Sequence, residues 1–341
     1  MLKEIESRED IGDFLNLNSH LIFHTFEYKK FIEESFGCKY QLLTAIEGDE
    51  VKTILPVVEV RNKLLGDKVI SSAYLEYGGF AGDALGVGEI LDFLSGEFKE
   101  THGYLEIRGG MEGFDSTLSS KLIKKNLYQR FVLNLGEGEE LVWGRIQKSK
   151  RKAVKKALKN LEVKEVPVSE LKDFYKLYCK NMKQFGSPPY SLKYFESFYR
   201  NIIFNGLGKI FGSYYRGKLI SALVGFCYQD RVHILIAVSD SKFSEFRPND
   251  AMHWSFIKWA CSNGFKWFDF GRVREGSGQF EYKRKWGSVL IELPSYFLLW
   301  KAKKIPIVDP GKHILLVKIW KKMPLFVTKL IGPWLRKGLG I

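Results

Sequence analysis

The sequence predicts an α/β (α+β) protein of two tandem modules, each a mixed, twisted sheet flanked by helices, with a basic amphipathic tail. Three observations lead to this prediction. At 341 residues the chain is too long for one ordinary core. The second half repeats the order of strand-like and helix-like segments seen in the first half. Positive charge is concentrated in two short segments, 148–159 and 301–341.

In the first half, apolar residues at helical spacing predict a helix over 24–36. Two strand-like runs, 41–45 and 53–60, follow and are separated by a Glu-Gly-Asp turn. A helix over 91–99 then leads to an alternating, strand-like run at 103–109. The first half therefore predicts a β-hairpin, a helix and a further strand.

The second half predicts the same order with more elements. Helices are expected at 168–184, 192–203 and 249–262, and strands at 208–214, 219–228, 232–238 and 266–272. The runs 103–109 and 266–272 both carry an acid at mid-strand and end at Arg and Gly. This order resembles the core of GNAT-type acetyltransferases, and its recurrence indicates duplication. The alternative is one mixed α/β chain whose halves share common hairpin patterns.

The two basic segments set the expected boundaries. The division is a first module over 1–145, a basic linker helix over 146–162, a second module over 163–300 and a tail over 301–341. The net charge is +14, and the tail alone holds ten Lys or Arg residues and one acid, Asp309. Such an excess of positive charge predicts an anionic partner: nucleic acid, a phosphorylated substrate or an acidic membrane surface.

The linker helix has an apolar stripe and an opposite face that is almost wholly cationic. Like charges one turn apart repel each other, so the pattern predicts a bound phosphate, contacted by Arg151, Lys152 and Lys155. A solvated helix face is the alternative. In the tail, basic residues alternate with Leu, Phe and Trp, and Pro324 and Gly332-Pro333 predict short helices. The tail is expected to lie at the inner membrane surface, to pack back on the first module, or both.

Other features indicate a cytoplasmic protein, peripheral to the inner face of the membrane. The four cysteines are scattered, as expected of reduced thiols. The first residues are polar, so no signal peptide is predicted, and no apolar run is long enough to span a bilayer. The six histidines show no metal-binding spacing, and no metal is predicted.

The motifs of the second half resemble those of the FemAB peptidyltransferase family. They are Pro248-Asn249, Asp269-Phe270-Gly271 and Tyr282-Lys283-Arg284-Lys285-Trp286-Gly287, where the family has Phe-Lys-x-x-Trp-Gly. The tail is similar to that of exosortase-associated FemAB-related proteins of exopolysaccharide loci. The resemblance implies a tandem GNAT fold and transfer of an acyl or aminoacyl group to an amine. It implies no permanently bound cofactor, with aminoacyl-tRNA or acyl-CoA as the donor.

Carried onto this chain, the resemblance makes Lys283 the cation that stabilises the developing oxyanion, with Tyr282 beside it. Alternation along a strand over 280–286 would place Lys283 on the face opposite Tyr282 and Trp286. A solvated lysine on an edge strand is the alternative. Gly276-x-Gly278, which invites comparison with an acetyl-CoA pyrophosphate loop, is then expected to form a tight connection between strands.

Asp269 alternates away from its two Phe neighbours and is a candidate to handle the incoming amine, while Arg272 is a candidate to bind phosphate or carboxylate. A structural bond of Asp269 to Arg272 or to the backbone is the alternative. Further substrate-binding candidates share a place in a family motif or a rigid loop: Lys30, Tyr190, Asn249 and Trp286.

The sequence thus predicts an enzyme that transfers an aminoacyl group to an amine on a phosphate-bearing precursor of the cell envelope or of exopolysaccharide. Aminoacyl-tRNA is the expected donor and partner. An acyl-CoA N-acyltransferase is the first alternative, and a non-catalytic RNA- or membrane-binding module is the second. The oligomeric state is left open.

Overall fold

The computed structural model describes residues 2–7, 9–62, 66–109, 112–305 and 314–340. These residues form two compact units. Unit 1 comprises Met1–Leu127, Leu293–Pro310 and Trp334–Ile341, and unit 2 comprises Tyr128–Glu292 and Gly311–Pro333. The basic helix therefore belongs to unit 2, and the tail is divided between the units.

The strands are numbered along the chain as follows: β1 Leu2–Glu4, β2 Tyr40–Glu47, β3 Glu50–Val60, β4 Lys68–Ser71, β5 Ala81–Gly82, β6 Tyr104–Arg108, β7 Ile123–Asn134, β8 Glu162–Glu165, β9 Gly208–Tyr215, β10 Lys218–Tyr228, β11 Arg231–Ser239, β12 Trp267–Val273 and β13 Val289–Leu299. The α-helices are α1 Gly12–Leu17, α2 Phe26–Phe36, α3 Val87–Phe98, α4 Asp115–Lys121, α5 Glu139–Arg145, α6 Lys148–Leu158, α7 Leu171–Phe185, α8 Leu192–Phe198, α9 Pro248–Ser262, α10 Gly278–Arg284, α11 Ile314–Lys322 and α12 Leu325–Leu339.

Unit 1 is built on a mixed sheet with the strand order β1-β2-β3-β4-β6-β13, and β5 pairs with β3. The β4/β6 pair is parallel, and the other pairs along this path are antiparallel. Val87, Ile90 and Leu94 of α3 bury one helical face against the sheet residues Val57 and Leu105. Because these positions recur every three or four residues, one stripe of α3 faces this core.

Unit 2 repeats the plan with the strand order β7-β12-β11-β10-β9-β8. Only β11 and β12 run parallel, and the crossover between them contains α9. Its core gathers Phe256 and Ile257 of α9, Leu223 of β10 and Phe268 of β12, with Trp286 fully buried among them. The predicted mixed sheets flanked by helices are therefore confirmed in each unit.

One local prediction is wrong. Residues 278–284 form helix α10, so 280–286 is not a strand, and Gly276-x-Gly278 leads into a helix. Ser277 caps this helix, since its side chain accepts a hydrogen bond from the Phe280 amide at 3.2 Å. The alternating aromatics that favoured a strand are Phe280 and Tyr282, which pack on the core of unit 2 from a single short helix.

A second correction concerns the tail. Pro324 separates α11 from α12, as predicted, but Pro333 lies inside α12 and does not end it. In unit 2, α11 packs on α7, with Val317 next to Gly186, and Gly332 lies against Pro189. In unit 1, the last residues are held by their backbone: Arg108 Nη2 donates to Gly340 O at 3.1 Å and Lys68 Nζ to Leu339 O at 3.1 Å.

Candidate active site

The site lies in unit 2 where β11 and β12 part. The two strands are paired only over the first three residues of each, from Arg231↔Trp267 to His233↔Asp269. Just beyond, Leu235 is an extra residue on β11, because Val224 pairs with Ile236 while Gly225 pairs with Ile234. Such a bulge leaves a residue without a ladder partner. Ala237 is exposed although β11 is central in the order of strands, so the divergence opens a cleft.

The Asp-Phe-Gly motif forms a second bulge on the opposite wall of this cleft. The register of β12 with β7 shifts between Asp269 and Arg272, and Gly271 has φ = 74°. Glycine suits this position because a side chain is strained at positive φ. Asp269 Oδ1 accepts the Gly271 amide at 2.9 Å, which fixes the bulge.

The second oxygen of Asp269 is engaged as well. Arg130 Nη1 donates to Oδ2 at 2.9 Å, and Arg231 Nη1 lies 3.8 Å away. The Asp269 side chain is fully buried. Both carboxylate oxygens of Asp269 are therefore held within the protein. The sequence left open a structural bond of Asp269 to the backbone or to Arg272. The structure shows the bond to the backbone, and the arginine that binds Asp269 is Arg130.

Helix α10 brings Lys283 to the same bulge. Its Nζ donates to Gly271 O at 2.8 Å and to Arg272 O at 2.9 Å. The lysine is half-buried and reaches the end of β12 from the last turn of α10. Its ammonium is thus fixed by two backbone dipoles at the cleft, in a place where a developing negative charge would be stabilised.

A buried polar cluster joins α6, α9 and α10. Lys150 Nζ donates to Asp250 Oδ1 at 2.7 Å and lies 3.7 Å from the centre of the Tyr282 ring. Desolvation lowers the pKa of Lys150, and the Asp250 carboxylate opposes that change. Tyr282 Oη lies 3.2 Å from His253 Nδ1, which is 2.7 Å from Asn249 O.

Burial decides the protonation of this cluster. It lowers the pKa of His253 to about 4, so the imidazole is neutral at neutral pH. Burial, with Asp250 nearby, raises the pKa of Tyr282 well above its ordinary value, so the phenol keeps its proton. Near pH 7 the cluster therefore contains one ion pair and two neutral hydrogen-bonding groups.

The polar groups at the start of α9 interact with neighbouring residues of the chain. Asp250 stands in the first turn, where a carboxylate offsets the positive end of the helix dipole. In the preceding loop, the amides of Lys242 and Phe243 donate hydrogen bonds to Asp240, and the amide of Arg247 donates one to Ser244. These amides already form hydrogen bonds within the chain, so few of them remain to bind an external phosphate.

The predicted phosphate ligands of α6 lie on its outer face. Lys152 and Lys155 are exposed and Arg151 is half-buried, and within the described residues no carboxylate pairs with any of them. Arg272 is half-buried and lies over the ring of Tyr128 at 4.7 Å. Lys152 and Lys155 therefore lie on the exposed face of α6, whereas Lys150 lies on the face that packs against the buried cluster.

The remaining candidates fall into two groups. Asn249, Tyr282 and Trp286 come together around His253, with Trp286 at 5.7 Å between ring centres. Tyr190 is buried in the core of unit 2, stacked on Tyr194 at 4.0 Å. Lys30 is exposed in unit 1 with its Nζ 5.0 Å from the Phe26 ring.

Sequence reasoning missed the centre of the cluster, Lys150, Asp250 and His253. Lys150 is one of seven cations in 148–159. Only its position one turn before Val154, on the apolar face of α6, could have distinguished it from the others. Asp250 directly follows the Pro-Asn of the family motif and His253 lies one helical turn after Asn249, so helical spacing gave a usable signal for both.

With this geometry in place, comparison with known proteins is informative. Residues 147–284, which carry the cleft, both bulges and the cluster, match the family model "Acetyltransferase (GNAT) domain". The chain therefore contains a GNAT-type domain and is an acyltransferase. A search among curated proteins found no match.

Solved structures show that the acyltransferase has the tandem fold. "Crystal structure of FemX" matches with a TM-score of 0.69 at 14% identity, covering 92% of this chain and 100% of that one. A C-terminal domain of a putative lysylphosphatidylglycerol synthetase from Agrobacterium fabrum matches at 0.60 and 10% identity, covering 85% and 90%. A tandem GNAT protein from the clavulanic acid biosynthesis pathway matches at 0.56 and 8% identity, covering 89% and 100%.

The predicted FemAB-like tandem GNAT fold is therefore confirmed, and so is the prediction of an acyltransferase. The domain supports acyl transfer in general, and its fold implies acyl-CoA as a donor substrate. The association with exosortase loci stays a prediction.

Proposed function

We propose that this acyltransferase moves an aminoacyl group from aminoacyl-tRNA to an amine on a phosphate-bearing precursor of the cell envelope. The observation that carries the proposal is the closed start of α9, beside which α6 presents cations. An acyl-CoA enzyme needs free backbone amides at a helix start to bind the diphosphate. Here the amides of Asp250 and Ala251 donate to Arg247 O, and the Asp250 carboxylate already holds Lys150. On α6, Lys152 and Lys155 remain exposed to solvent and available for a polyanion.

The chemistry assigned to the site is an ester-to-amide exchange. The neutral amine forms a C–N bond with the carbonyl carbon, the ester C–O bond breaks, and the proton lost by nitrogen ends on the ribose oxygen. Negative charge develops on the carbonyl oxygen, and Lys283 is assigned to stabilise it. Tyr282, protonated and close to His253, is assigned to orient the acceptor.

Asp269 is assigned a different task from the amine handling predicted from sequence. Its full burial against Arg130 and the Gly271 amide supports a positioning role, in which it holds the bulge that Lys283 contacts. Arg272, half-buried at the end of β12, remains the candidate for the acceptor phosphate. Lys30 keeps its proposed contact with phosphate in unit 1.

An acyl-CoA N-acyltransferase is the second candidate, and the acetyltransferase family model favours it. The two donors differ in size and charge, so binding separates them. The experiment titrates the protein with an aminoacyl-tRNA mixture, with uncharged tRNA and with acetyl-CoA, each at two salt concentrations. We expect saturable, salt-sensitive binding of aminoacyl-tRNA and none of acetyl-CoA.

The double variant Lys152→Glu/Lys155→Glu should weaken tRNA binding by at least about tenfold and flatten its salt dependence. Lys172→Glu/Lys176→Glu is the matched control, because it reverses two exposed lysines on α7 in the same unit. Tight acetyl-CoA binding that neither variant changes would refute the tRNA proposal and favour the second candidate.

A further inference from the structure

Helices α11 and α12 each expose large apolar side chains. We call this set the apolar stripe; its members are Leu315, Leu316, Ile319, Phe326, Leu330 and Trp334. Phe326, Leu330 and Trp334 recur every four residues, so they lie along one face of α12. They are 71%, 79% and 71% exposed, which is far more than a residue that packs on its own protein.

The other side of these helices already packs on the protein. Trp320 is buried on α11, and Thr328 and Gly332 are buried on α12. Gly332 lies so close to Pro189 that a side chain there would clash. Since the inward face is occupied, the apolar stripe is a second, outward face with no partner among the described residues.

Charge on these two helices is of one sign. Residues 314–340 contain six Lys or Arg and no Asp or Glu. Lys318, Lys321 and Lys322 are exposed beside the apolar stripe on α11. Within the described residues, no helix combines the length and apolar character needed to cross a bilayer. A helix with an apolar face, interleaved lysines and an aromatic residue is typical of the membrane interface.

We propose that α11 and α12 bind the surface of an anionic lipid bilayer, with the apolar stripe inserted among the acyl chains. The exposed lysines favour an anionic bilayer over a protein as the partner of the apolar stripe. Protein interfaces are depleted in Lys at their centre, whereas each Lys near an anionic leaflet adds to binding. RNA would contact the lysines but would leave the apolar stripe in water.

The test measures co-flotation of the full chain with vesicles of phosphatidylcholine alone or mixed with phosphatidylglycerol. We expect binding to the mixed vesicles only. Phe326→Glu/Leu330→Glu should weaken that binding at least about tenfold, since two inserted side chains are lost. Leu17→Glu/Leu85→Glu is the matched control, because both residues are more than 80% exposed elsewhere on the chain. The control should bind as the unaltered protein does.

Other occupants give different results. If the apolar stripe joined two copies of this chain, Phe326→Glu/Leu330→Glu would change the molar mass in light scattering and leave flotation unaffected. That result would overturn the proposal, and so would failure of the unaltered chain to float with phosphatidylglycerol. The test needs no substrate, so its outcome is independent of the donor that the enzyme uses.

Discussion

Lys283 is held by two backbone carbonyls at the end of β12. Gly271 O and Arg272 O fix two of its ammonium hydrogens at 2.8 and 2.9 Å. These carbonyl dipoles fix the direction of the ammonium group. The position of Lys283 depends in turn on the Gly271 bulge, and so on Asp269.

If Lys283 stabilises the oxyanion, Lys283→Ala should lower the single-turnover rate of transfer by about 10²- to 10³-fold. The binding of the donor should change little, because the phosphate contacts that we propose lie on α6. Rapid-quench measurement with aminoacyl-tRNA and an excess of acceptor would show the rate directly.

The conservative variant separates chemistry from structure. Lys283→Arg keeps the charge and the bonds to the bulge, and we expect it to recover part of the rate. Equal loss in both variants together with a lowered melting temperature would mean that Lys283 only supports β12.

The sequence located Lys283, Tyr282 and Trp286 through a motif but could not give their geometry. Alternating aromatics favoured a strand, whereas the Ser277 cap and Glu281 in the first turn were the local signals for α10. Buried Lys150 was hidden for a different reason: nothing in composition tells a desolvated lysine from the solvated ones around it.

At the scale of elements, α6 and α9 are joined by a buried ion pair. Lys150 and Asp250 are both less than 10% exposed in their side chains. Removal of one partner leaves an uncompensated charge out of water, which costs more than the pair itself contributes. The hairpins of both sheets, in contrast, were predicted well, because turns such as Gly48 and Gly217 mark them.

Lys150→Met should therefore lower the free energy of unfolding by about 3–5 kcal/mol, because Asp250 is left buried and unpaired. Lys150→Met/Asp250→Leu should lose much less, since no charge remains. Urea unfolding of the two variants gives the difference. Exposed Lys152→Met serves as the control and should change stability by less than about 0.5 kcal/mol; additive losses in the double variant would contradict the coupling.

At the scale of the whole molecule, each unit contains a buried histidine whose pKa is lowered to about 4. His24 in unit 1 contacts Gly79 O at 2.9 Å, and His253 in unit 2 contacts Asn249 O at 2.7 Å. Desolvation is the main cause that lowers the pKa of each from 6.5 to about 4. Unfolding would let both take up a proton at mildly acidic pH.

The pKa of each histidine is lower in the folded protein than in the unfolded one. The contribution of each histidine to the free energy of unfolding is therefore complete above about pH 6.5 and is lost as the pH falls toward 4. Each histidine should contribute a loss of up to about 1.4 kcal/mol per pH unit in that window. Urea unfolding at about pH 7 and about pH 5 measures the slope. His24→Gln/His253→Gln should have a shallower slope, and an unchanged slope would rule out these two histidines as the cause.

The division of the chain between the units has a consequence for synthesis. Unit 1 takes Leu293–Leu299 of β13 into its sheet and residues 334–340 onto Arg108 and Lys68. Both segments leave the ribosome after all of Tyr128–Glu292. The N-terminal unit must therefore wait, with an open edge at β6, until unit 2 has largely been made. During translation the unit that starts first is completed last, so the exposed β6 edge is where a nascent chain would need protection by a chaperone.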